Sequence, residues 1–304
     1  MSYVTDKDKW LTRATEWVMY ASAWSFRFLT WPLNTWTLTR SLAPLGGLAA
    51  WMIPAARQRI IENVDHVWPG LTPAEKKIFV KANGAQTLCL FVEYSRLDKV
   101  LREVGIQVDG EEHLRERPDG KGAILVTAHF GNWEAVRFAA KSMGQECGII
   151  YRAFNNRFLD RFTLNLIPAA GEPVLQKGTG MRQLFAHVRK GGVVMILVDQ
   201  RNSGAPYLDF LGKPAETVLA AAELAQRTGA ALIPTVAVRD LAGRKFNVTF
   251  EEPVTGDDPQ KMMQEVNDRI GAWVAEAPDQ WFWLHRRWRT TKRSQVQEVE
   301  EEMA

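Results

Sequence analysis

A histidine and a glutamate, five positions apart, are the residues of this chain best suited to acid–base chemistry. His129 and Glu134 lie in the stretch Thr-Ala-His-Phe-Gly-Asn-Trp-Glu, which follows a short apolar run. A carboxylate that binds one imidazole nitrogen fixes the tautomer and leaves the other nitrogen free to act as a base. Such a pair also occurs by chance at this spacing, so its place in the fold has to support the interpretation.

The surrounding residues predict that this pair lies at the end of a strand. The run 123–127 is short and continuously apolar, which is typical of a strand buried on both faces. Gly131 permits a tight reversal, and Asn132 is a suitable N-cap for a helix from Trp133 to Lys141. Sites of α/β sheets form at the carboxyl ends of strands. A turn between strand and helix would fold His129 back onto Glu134.

Other polar residues follow later apolar runs and are candidates for the same site. Arg152 follows a strand-like run, and its guanidinium is suited to binding a phosphate; an ion pair with Asp160 is the alternative. Asp199 and Asp209 lie near the same predicted edge and would either assist the pair or cap loops. No cluster of residues has metal-ligand spacing, so neither a metal nor another cofactor is expected.

Apolar runs alternate with helical stretches from residue 122 onward, which predicts an α/β fold with a mainly parallel central sheet flanked by helices. Residues 57–117 are predicted to be helical, with Thr72 as an N-cap ahead of Pro73. The alternating run 246–250 is a candidate edge strand. The predicted strands are 123–127, 148–151, 193–198 and 231–238, and the clearest later helices are 179–190 and 215–228.

The first 56 residues are predicted to form membrane-associating helices, and residues 57–304 the catalytic domain. Tryptophan recurs every seventh residue from Trp10 to Trp31, which places four indoles on one helical stripe. Such a stripe suits the membrane interface, and a helix facing the protein core is the alternative. The segment 41–56 is uncharged but short and is predicted to be broken at Pro44. No cleavable signal peptide and no run long enough to span a membrane is visible.

Composition argues against a disordered chain, a disulfide-rich protein and a nucleic-acid-binding protein. The chain has 304 residues, of which 46% are hydrophobic and 24% charged, and a net charge of +3. Its two cysteines, Cys89 and Cys147, are far apart and form no disulfide framework, which suits a reducing compartment. Arg286 lies in a C-terminal segment where arginines alternate with tryptophans, a pattern suited to an anionic lipid surface. Nucleic acid is not expected as a partner, because the remaining charge is balanced.

Four blocks of sequence, in order, resemble those of the bacterial lipid A late acyltransferases, the lauroyl and myristoyl transferase family. The first is the His-x4-Glu block at 129–134, and the second is Tyr-Arg at 151–152, where Ala153 replaces the proline usual in the family. The third runs from Val198 through Gln200 to 215, and the fourth is 280–288. Mycobacterial phosphatidylinositol mannoside acyltransferases carry similar blocks, whereas broader glycerolipid acyltransferases have aspartate at the glutamate position.

The resemblance implies an enzyme that moves a fatty acyl chain from a thioester to a hydroxyl of a lipid A precursor. His129 would be the general base and Glu134 its partner, and acyl carrier protein, or acyl-CoA, would be the donor. The candidate substrate-binding residues are Asn132, Arg152, Asp199, Gln200, Asp209 and Arg286. The expected location is the cytoplasmic face of the inner membrane. Acylation of another lysolipid is the alternative reaction, and a non-catalytic membrane-surface adaptor is the rival class.

Overall fold

The computed structural model describes residues 6–118, 120–242 and 244–288. The helices are α1 (Asp6–Thr30), α2 (Thr35–Met52), α3 (Pro54–Val67), α4 (Pro73–Tyr94), α5 (Leu97–Glu103), α6 (Glu111–Arg115), α7 (Glu134–Ser142), α8 (Arg157–Leu164), α9 (Met181–Arg189), α10 (Ala220–Thr228) and α11 (Pro259–Glu276). The strands are β1 (Gly105–Asp109), β2 (Ala123–Thr127), β3 (Cys147–Tyr151), β4 (Val174–Gln176), β5 (Val193–Leu197), β6 (Tyr207–Phe210), β7 (Lys213–Glu216), β8 (Ala231–Asp240) and β9 (Lys245–Phe250).

The core of the described chain is a sheet of seven strands in the order β1-β9-β8-β2-β5-β3-β4. All neighbouring pairs are parallel except β8 and β9, which run antiparallel. Helices pack on both faces, and every residue of β2 is buried, as expected for a continuously apolar central strand. The predicted α/β class with a mainly parallel sheet is therefore confirmed.

Three local predictions differ from the structure. Residues 105–109 form strand β1 rather than a helix, and this strand covers β9, which is therefore not an edge strand. The expected helix 215–228 begins only at Ala220, because the residues before it form the β6–β7 hairpin. The missed strands β1 and β6 are short, and their side chains alternate between more exposed and less exposed positions, a pattern that is weak over four or five residues.

The predicted start of α4 is confirmed in atomic detail. The hydroxyl of Thr72 accepts a hydrogen bond from the backbone N–H of Glu75, and the Glu75 carboxylate accepts one from the backbone N–H of Thr72. Pro73 occupies the first helical position, where a missing N–H costs nothing.

Helix α2 is continuous, so the predicted break at Pro44 is wrong. Tight packing on α4 accounts for the continuity. A Cβ atom at Gly46 would lie 2.5 Å from the carbonyl oxygen of Gly84, and one at Gly84 would lie 2.3 Å from the Cβ of Ala50. The absence of these side chains lets the two helix backbones touch, and the contact holds α2 in helical form through the proline.

Helix α1 leaves much of its apolar surface exposed. The side chain of Trp10 lies outside the described part of the chain, but Trp17 is 57% exposed. Trp24 packs edge-on against Phe162 of α8, with ring centroids 5.4 Å apart, and Trp31 is covered by the guanidinium of Arg27. The predicted stripe thus contacts the protein only in part. Among the described residues, no helix has the length and apolarity needed to cross a membrane.

Candidate active site

The loop after β2 places His129 at the carboxyl edge of the sheet. A close approach to β8 fixes the loop, because a Cβ at Gly131 would lie 2.1 Å from the carbonyl oxygen of Ala237. Gly131 also has φ of +54°, which an L side chain rarely adopts. Its N–H donates to the carbonyl of Gln280 at 3.0 Å, and the carbonyl of His129 accepts from the N–H of Phe282 at 2.9 Å. The C-terminal segment therefore holds the loop from the outside.

Asp199 is the carboxylate that binds His129. Strands β2 and β5 pair in parallel with Thr127 opposite Leu197, so the residue two positions beyond each strand end lies beside the other. His129 Nδ1 lies 2.7 Å from Asp199 Oδ1, and the backbone N–H of His129 donates to Oδ2 at 2.9 Å. The indole N–H of Trp281 also donates to Oδ2, at 2.8 Å. One carboxylate is thus held by three donors.

These contacts keep Asp199 ionised although it is buried. Burial by itself would raise the pKa of Asp199, but attraction to His129 and hydrogen bonds from His129 and Trp281 lower it to about 2. An ionised carboxylate can only accept hydrogen bonds, so the Nδ1 atom of His129 carries its proton. In the neutral imidazole, Nε2 then has the free electron pair. The exposed side-chain amide of Gln200 donates to that Nε2 at 3.2 Å, on the side of the ring that faces solvent, where an incoming hydroxyl would replace it.

The predicted contact between His129 and Glu134 is wrong. Glu134 is fully buried on the other side of the loop, where its carboxylate accepts from Arg137 Nη1 at 2.5 Å and from the Tyr94 hydroxyl at 2.6 Å. Burial, and then the neighbouring Glu134, raise the pKa of Tyr94 well above its usual range, so the hydroxyl stays protonated and donates. Glu134 begins α7 and points into the protein, whereas His129 ends the strand segment and faces the edge.

Asn132 connects the loop to a second buried ion pair. Its Oδ1 accepts from the backbone N–H of Glu134 at 3.2 Å, although the helix begins one residue later than predicted. Its Nδ2 donates to Glu93 Oε2 at 2.9 Å, and Arg239 binds both oxygens of Glu93 at 2.7 and 2.6 Å. Asn132 is itself fully buried, so in this structure it holds the loop and does not reach the open edge.

Arg152 lies at the carboxyl end of β3, as predicted, and is exposed. The alternative ion pair with Asp160 is absent, because Asp160 accepts instead from the Tyr151 hydroxyl and, at 2.8 Å, from the backbone N–H of Phe154. Within the described residues Arg152 has no hydrogen-bond partner. Its guanidinium is therefore available for a substrate group.

Asp209 does not belong to the site. It lies on β6, where its carboxylate accepts from the backbone N–H of Gly212 at 2.9 Å across the hairpin turn. Its backbone bonds to Gln264 and Asn267 of α11. The interpretation of Asp209 as a loop cap is the correct one, because the two-residue turn at 211–212 brings the carboxylate over the turn amide.

The C-terminal segment is core rather than a lipid-facing surface. Trp281, Trp283 and Arg287 are almost completely buried, and the Arg287 guanidinium donates to Glu216 O at 2.5 Å and to Thr217 Oγ1 at 2.6 Å. Arg286 is the exposed arginine of the described segment, while Arg289 lies outside it. The alternation of tryptophan and arginine therefore reflects packing against the hairpin.

His285 supports the loop after β5. Its Nε2 accepts from the backbone N–H of Arg201 at 3.0 Å. Burial lowers the pKa of His285, the charge of Asp199 opposes that shift, and the nearby cations Arg287 and Arg201 add to it. The neutral ring can then accept the hydrogen bond that fixes the backbone next to Gln200.

Sequence reasoning missed two contributors to the site. Trp281 supplies an indole N–H to Asp199, and Tyr94 holds Glu134. The strand-end rule that found His129 applies equally to Asp199, because β2 and β5 are neighbours. The tryptophan and tyrosine carry no such signal, since their contacts arise from distant segments. Among the described residues, no group of three or more His, Cys, Asp or Glu is arranged to bind a metal.

The structural comparison finds a crystal structure of a 1-acyl-sn-glycerophosphate acyltransferase from Thermotoga maritima. The match has a TM-score of 0.36 and 11% identity, and it covers 78% of this chain and 96% of that chain.

Sequence comparisons identify relatives over most of the chain. The lipid A biosynthesis acyltransferase of Haemophilus influenzae is 23% identical over 258 residues, 81% of each chain. The lipid A biosynthesis lauroyltransferase of Escherichia coli is 25% identical over 304 aligned positions, 92% of each chain. A phosphatidylinositol mannoside acyltransferase of Mycobacterium tuberculosis is 28% identical over 198 residues, 62% of each chain. The family model for bacterial lipid A biosynthesis acyltransferases matches residues 6–290, and so this chain belongs to that family and is an acyltransferase.

Proposed function

We propose that this acyltransferase moves a fatty acyl chain from acyl carrier protein to a hydroxyl of a lipid A precursor, with His129 as the general base. The observation that carries the proposal is the hydrogen bond between His129 Nδ1 and the ionised Asp199, which leaves Nε2 as a proton acceptor at the open edge of the sheet. A lipid hydroxyl needs such a base to attack a thioester near neutral pH.

In the proposed reaction, Nε2 of His129 takes the hydroxyl proton as the lipid oxygen bonds to the thioester carbonyl carbon. The carbon–sulfur bond then breaks, and the imidazolium returns the proton to the departing thiolate. The products are an ester and a free thiol, so charge and protons balance. Asp199 remains ionised throughout and stabilises the imidazolium.

The other residues near the loop have positioning or binding roles in this proposal. Glu134 acts through Arg137 and Tyr94, since those contacts fix the start of α7 and with it the loop. Gln200 lies beside Nε2 and would orient the incoming hydroxyl. Arg152 and Arg286 are exposed and suited to anionic groups of the substrates.

The membrane contact in this proposal is made by residues 1–56, at the cytoplasmic face of the inner membrane. Its support is the exposed apolar surface of α1 and of the segment that follows it. The exposed residues there are Trp17, Val18, Met19, Trp24, Phe28, Leu29, Trp31, Leu33, Leu45, Leu48, Met52 and Ile53. Such a surface can lie in the interface without spanning the bilayer. The same unit also packs on residues 57–304, through the α2–α4 contact.

A second acceptor class has its own support. The similarity to a mycobacterial phosphatidylinositol mannoside acyltransferase extends over 198 residues at 28% identity. A mannosylated phosphatidylinositol, or another lysolipid, is therefore the alternative acceptor. Both acceptors present a hydroxyl to the same base, so the choice between them depends on the binding surface.

The test is turnover of purified protein with an acyl thioester and either acceptor in vesicles, with lipid products read by mass spectrometry. We expect acylation of the lipid A precursor, and a loss of about 10²–10⁴-fold in rate for His129→Ala. Protein fold and vesicle binding should be unchanged in that variant. Activity of the variant within threefold of the parent would remove His129 from the mechanism. Transfer to the mannosylated phosphatidylinositol alone would assign the alternative acceptor.

A further inference from the structure

Five exposed basic side chains follow the carboxyl ends of β3 and β4 in sequence, two directly after the strands and three on the helices α8 and α9. Strands β3 and β4 pair in parallel with Tyr151 opposite Gln176, so the next residues, Arg152 and Lys177, lie side by side. The backbone N–H of Lys177 donates to the carbonyl of Tyr151 at 2.8 Å, which extends the pairing to this level. Helices α8 and α9 begin close to these two strand ends. The basic rim comprises Arg152, Arg157, Arg161, Lys177 and Arg182.

The fold makes little use of the charge of the basic rim: the Arg157 guanidinium lies 4.8 Å from the ring centroid of its neighbour Phe158. Within the described chain, none of its five members forms an ion pair. The acid nearest in sequence, Asp160, already accepts from Tyr151 and Phe154. Glu16 of α1 also lies nearby, since its carbonyl accepts from Asn156, and the excess of positive charge remains after both acids are counted. By contrast, the buried arginines 137 and 239 are each paired with a glutamate.

The basic rim lies on the same edge of the sheet as His129. The strand order β2-β5-β3-β4 places Lys177 three interstrand spacings from His129, or roughly 14 Å. Arg152 lies between them, next to the loop that carries Asp199 and Gln200. A ligand that extends along this edge from the imidazole would therefore reach the rim with its far end.

We propose that the basic rim binds the phosphate of a phosphopantetheinyl acyl donor whose thioester lies at His129. This inference rests on the proposed function, which supplies the thioester. The arm between sulfur and phosphate has the backbone length of roughly four extended residues, about 14 Å, which matches the distance from His129 to Lys177. The rim offers a phosphate two kinds of contact, because arginine binds phosphate through paired hydrogen bonds and lysine binds it through charge.

The experiment compares the double variant Lys177→Gln, Arg182→Gln with a matched control, Arg189→Gln, Lys190→Gln. The control also removes two positive charges, but from the C-terminal end of α9, which lies at the opposite edge of the sheet. Each protein is assayed with three donors: an acyl carrier protein thioester, the corresponding acyl-phosphopantetheine without the carrier, and acyl-pantetheine, which lacks both the carrier and the phosphate.

We expect the rim variant to raise the KM for the carrier thioester and for acyl-phosphopantetheine about tenfold, with kcat within twofold and with no change on acyl-pantetheine. The KM of the parent protein for the carrier thioester should rise with salt, and more steeply than that of the variant, because screening weakens exposed charges. The control should behave like the parent.

Three outcomes would overturn the inference. The first is an unchanged KM for acyl-phosphopantetheine, which would assign any effect on the carrier thioester to contacts with the carrier protein. The second is an equal loss on acyl-pantetheine. The third is a rise confined to the KM for the lipid acceptor, which would assign the rim to an acceptor phosphate. Failure of the proposed function looks different, because the parent protein would then turn over none of the three thioesters.

Discussion

Asp199 combines burial with a lowered pKa because three donors converge on its carboxylate. Since its pKa in the folded protein, about 2, lies below the 3.8 of a free aspartate, the ionised form adds to stability above pH 3.8. That contribution is lost as the pH falls towards 2. The carboxylate is therefore charged at every pH at which His129 could act as a base.

Replacing Asp199 with asparagine tests this arrangement. An amide can donate to Nδ1, which would place the imidazole proton on Nε2 and remove the acceptor. We expect kcat to fall about 10²–10⁴-fold with a smaller change in KM. Asp209→Asn is the matched control, because its carboxylate serves only a hairpin turn, and it should retain activity within twofold. Equal losses in the two variants, measured by thioester turnover, would contradict the role of Asp199.

At the scale of elements, α4 links the N-terminal helices to the loop that follows β2 and carries His129. Its middle touches α2 at Gly84, and its last turn carries Glu93 and Tyr94, which bind Asn132 and Glu134 of the loop. A helix held at both positions fixes the loop relative to α2. The loop's geometry thus depends on packing that occurs far from it in sequence.

Gly84→Ala should disturb that helix. The added Cβ would lie 2.3 Å from the Cβ of Ala50 and 2.6 Å from the carbonyl oxygen of Gly46, so the helices must separate. We expect a loss of about 1–3 kcal/mol in the free energy of unfolding, measured by denaturant titration. Gly70→Ala, where an added Cβ meets nothing within 4 Å, is the control and should change stability by less than about 0.5 kcal/mol. Similar denaturation midpoints for the two variants would contradict the close packing of α2 against α4.

The sequence predicts some of these elements and site residues and misses others. The buried strands β2, β3, β5 and β8 were predictable because each contains a short, mostly apolar run that follows a helical stretch. His129 and Arg152 were predictable as strand-end residues. The carboxylate of the pair was assigned to the wrong residue, because strand order is not written in local sequence and only the pairing of β2 with β5 selects Asp199. Glu134 was attractive because it is close in the chain, yet the helix it starts turns it away.

At the scale of the whole molecule, the chain has two tryptophan-rich segments, residues 10–31 and the C-terminal segment 281–288. The tryptophans Trp17, Trp24 and Trp31 of the first segment are exposed, whereas Trp281 and Trp283 of the C-terminal segment are buried. A fully buried Leu, Phe or Val side chain contributes about 1.5–3 kcal/mol relative to an exposed one. Several such residues entering the interface together would hold the protein on a leaflet without a spanning helix.

The variant Trp17→Ser, Phe28→Ser, Leu29→Ser tests this surface without disturbing α2. Their exposures are 57%, 78% and 73%, so the fold should tolerate the changes. We expect at least a tenfold drop in the fraction that floats with anionic vesicles, and a loss of transfer to embedded lipid. Thioester hydrolysis should persist, since it needs no embedded acceptor. Tyr207→Ser, on the hairpin, is the control. Unchanged flotation of the triple variant would place the membrane contact elsewhere.

The contact between Trp281 and Asp199 has a consequence for synthesis on the ribosome. The loop residue His129, its carboxylate and the indole that holds that carboxylate are separated by 70 and 82 positions along the chain. A nascent chain can therefore pair β2 with β5 well before the indole has left the exit tunnel. Contacts of such sequence separation form late. The imidazole acquires its complete surroundings only after residues 280–282 have been made, so a nascent chain that lacks them is an incomplete catalyst.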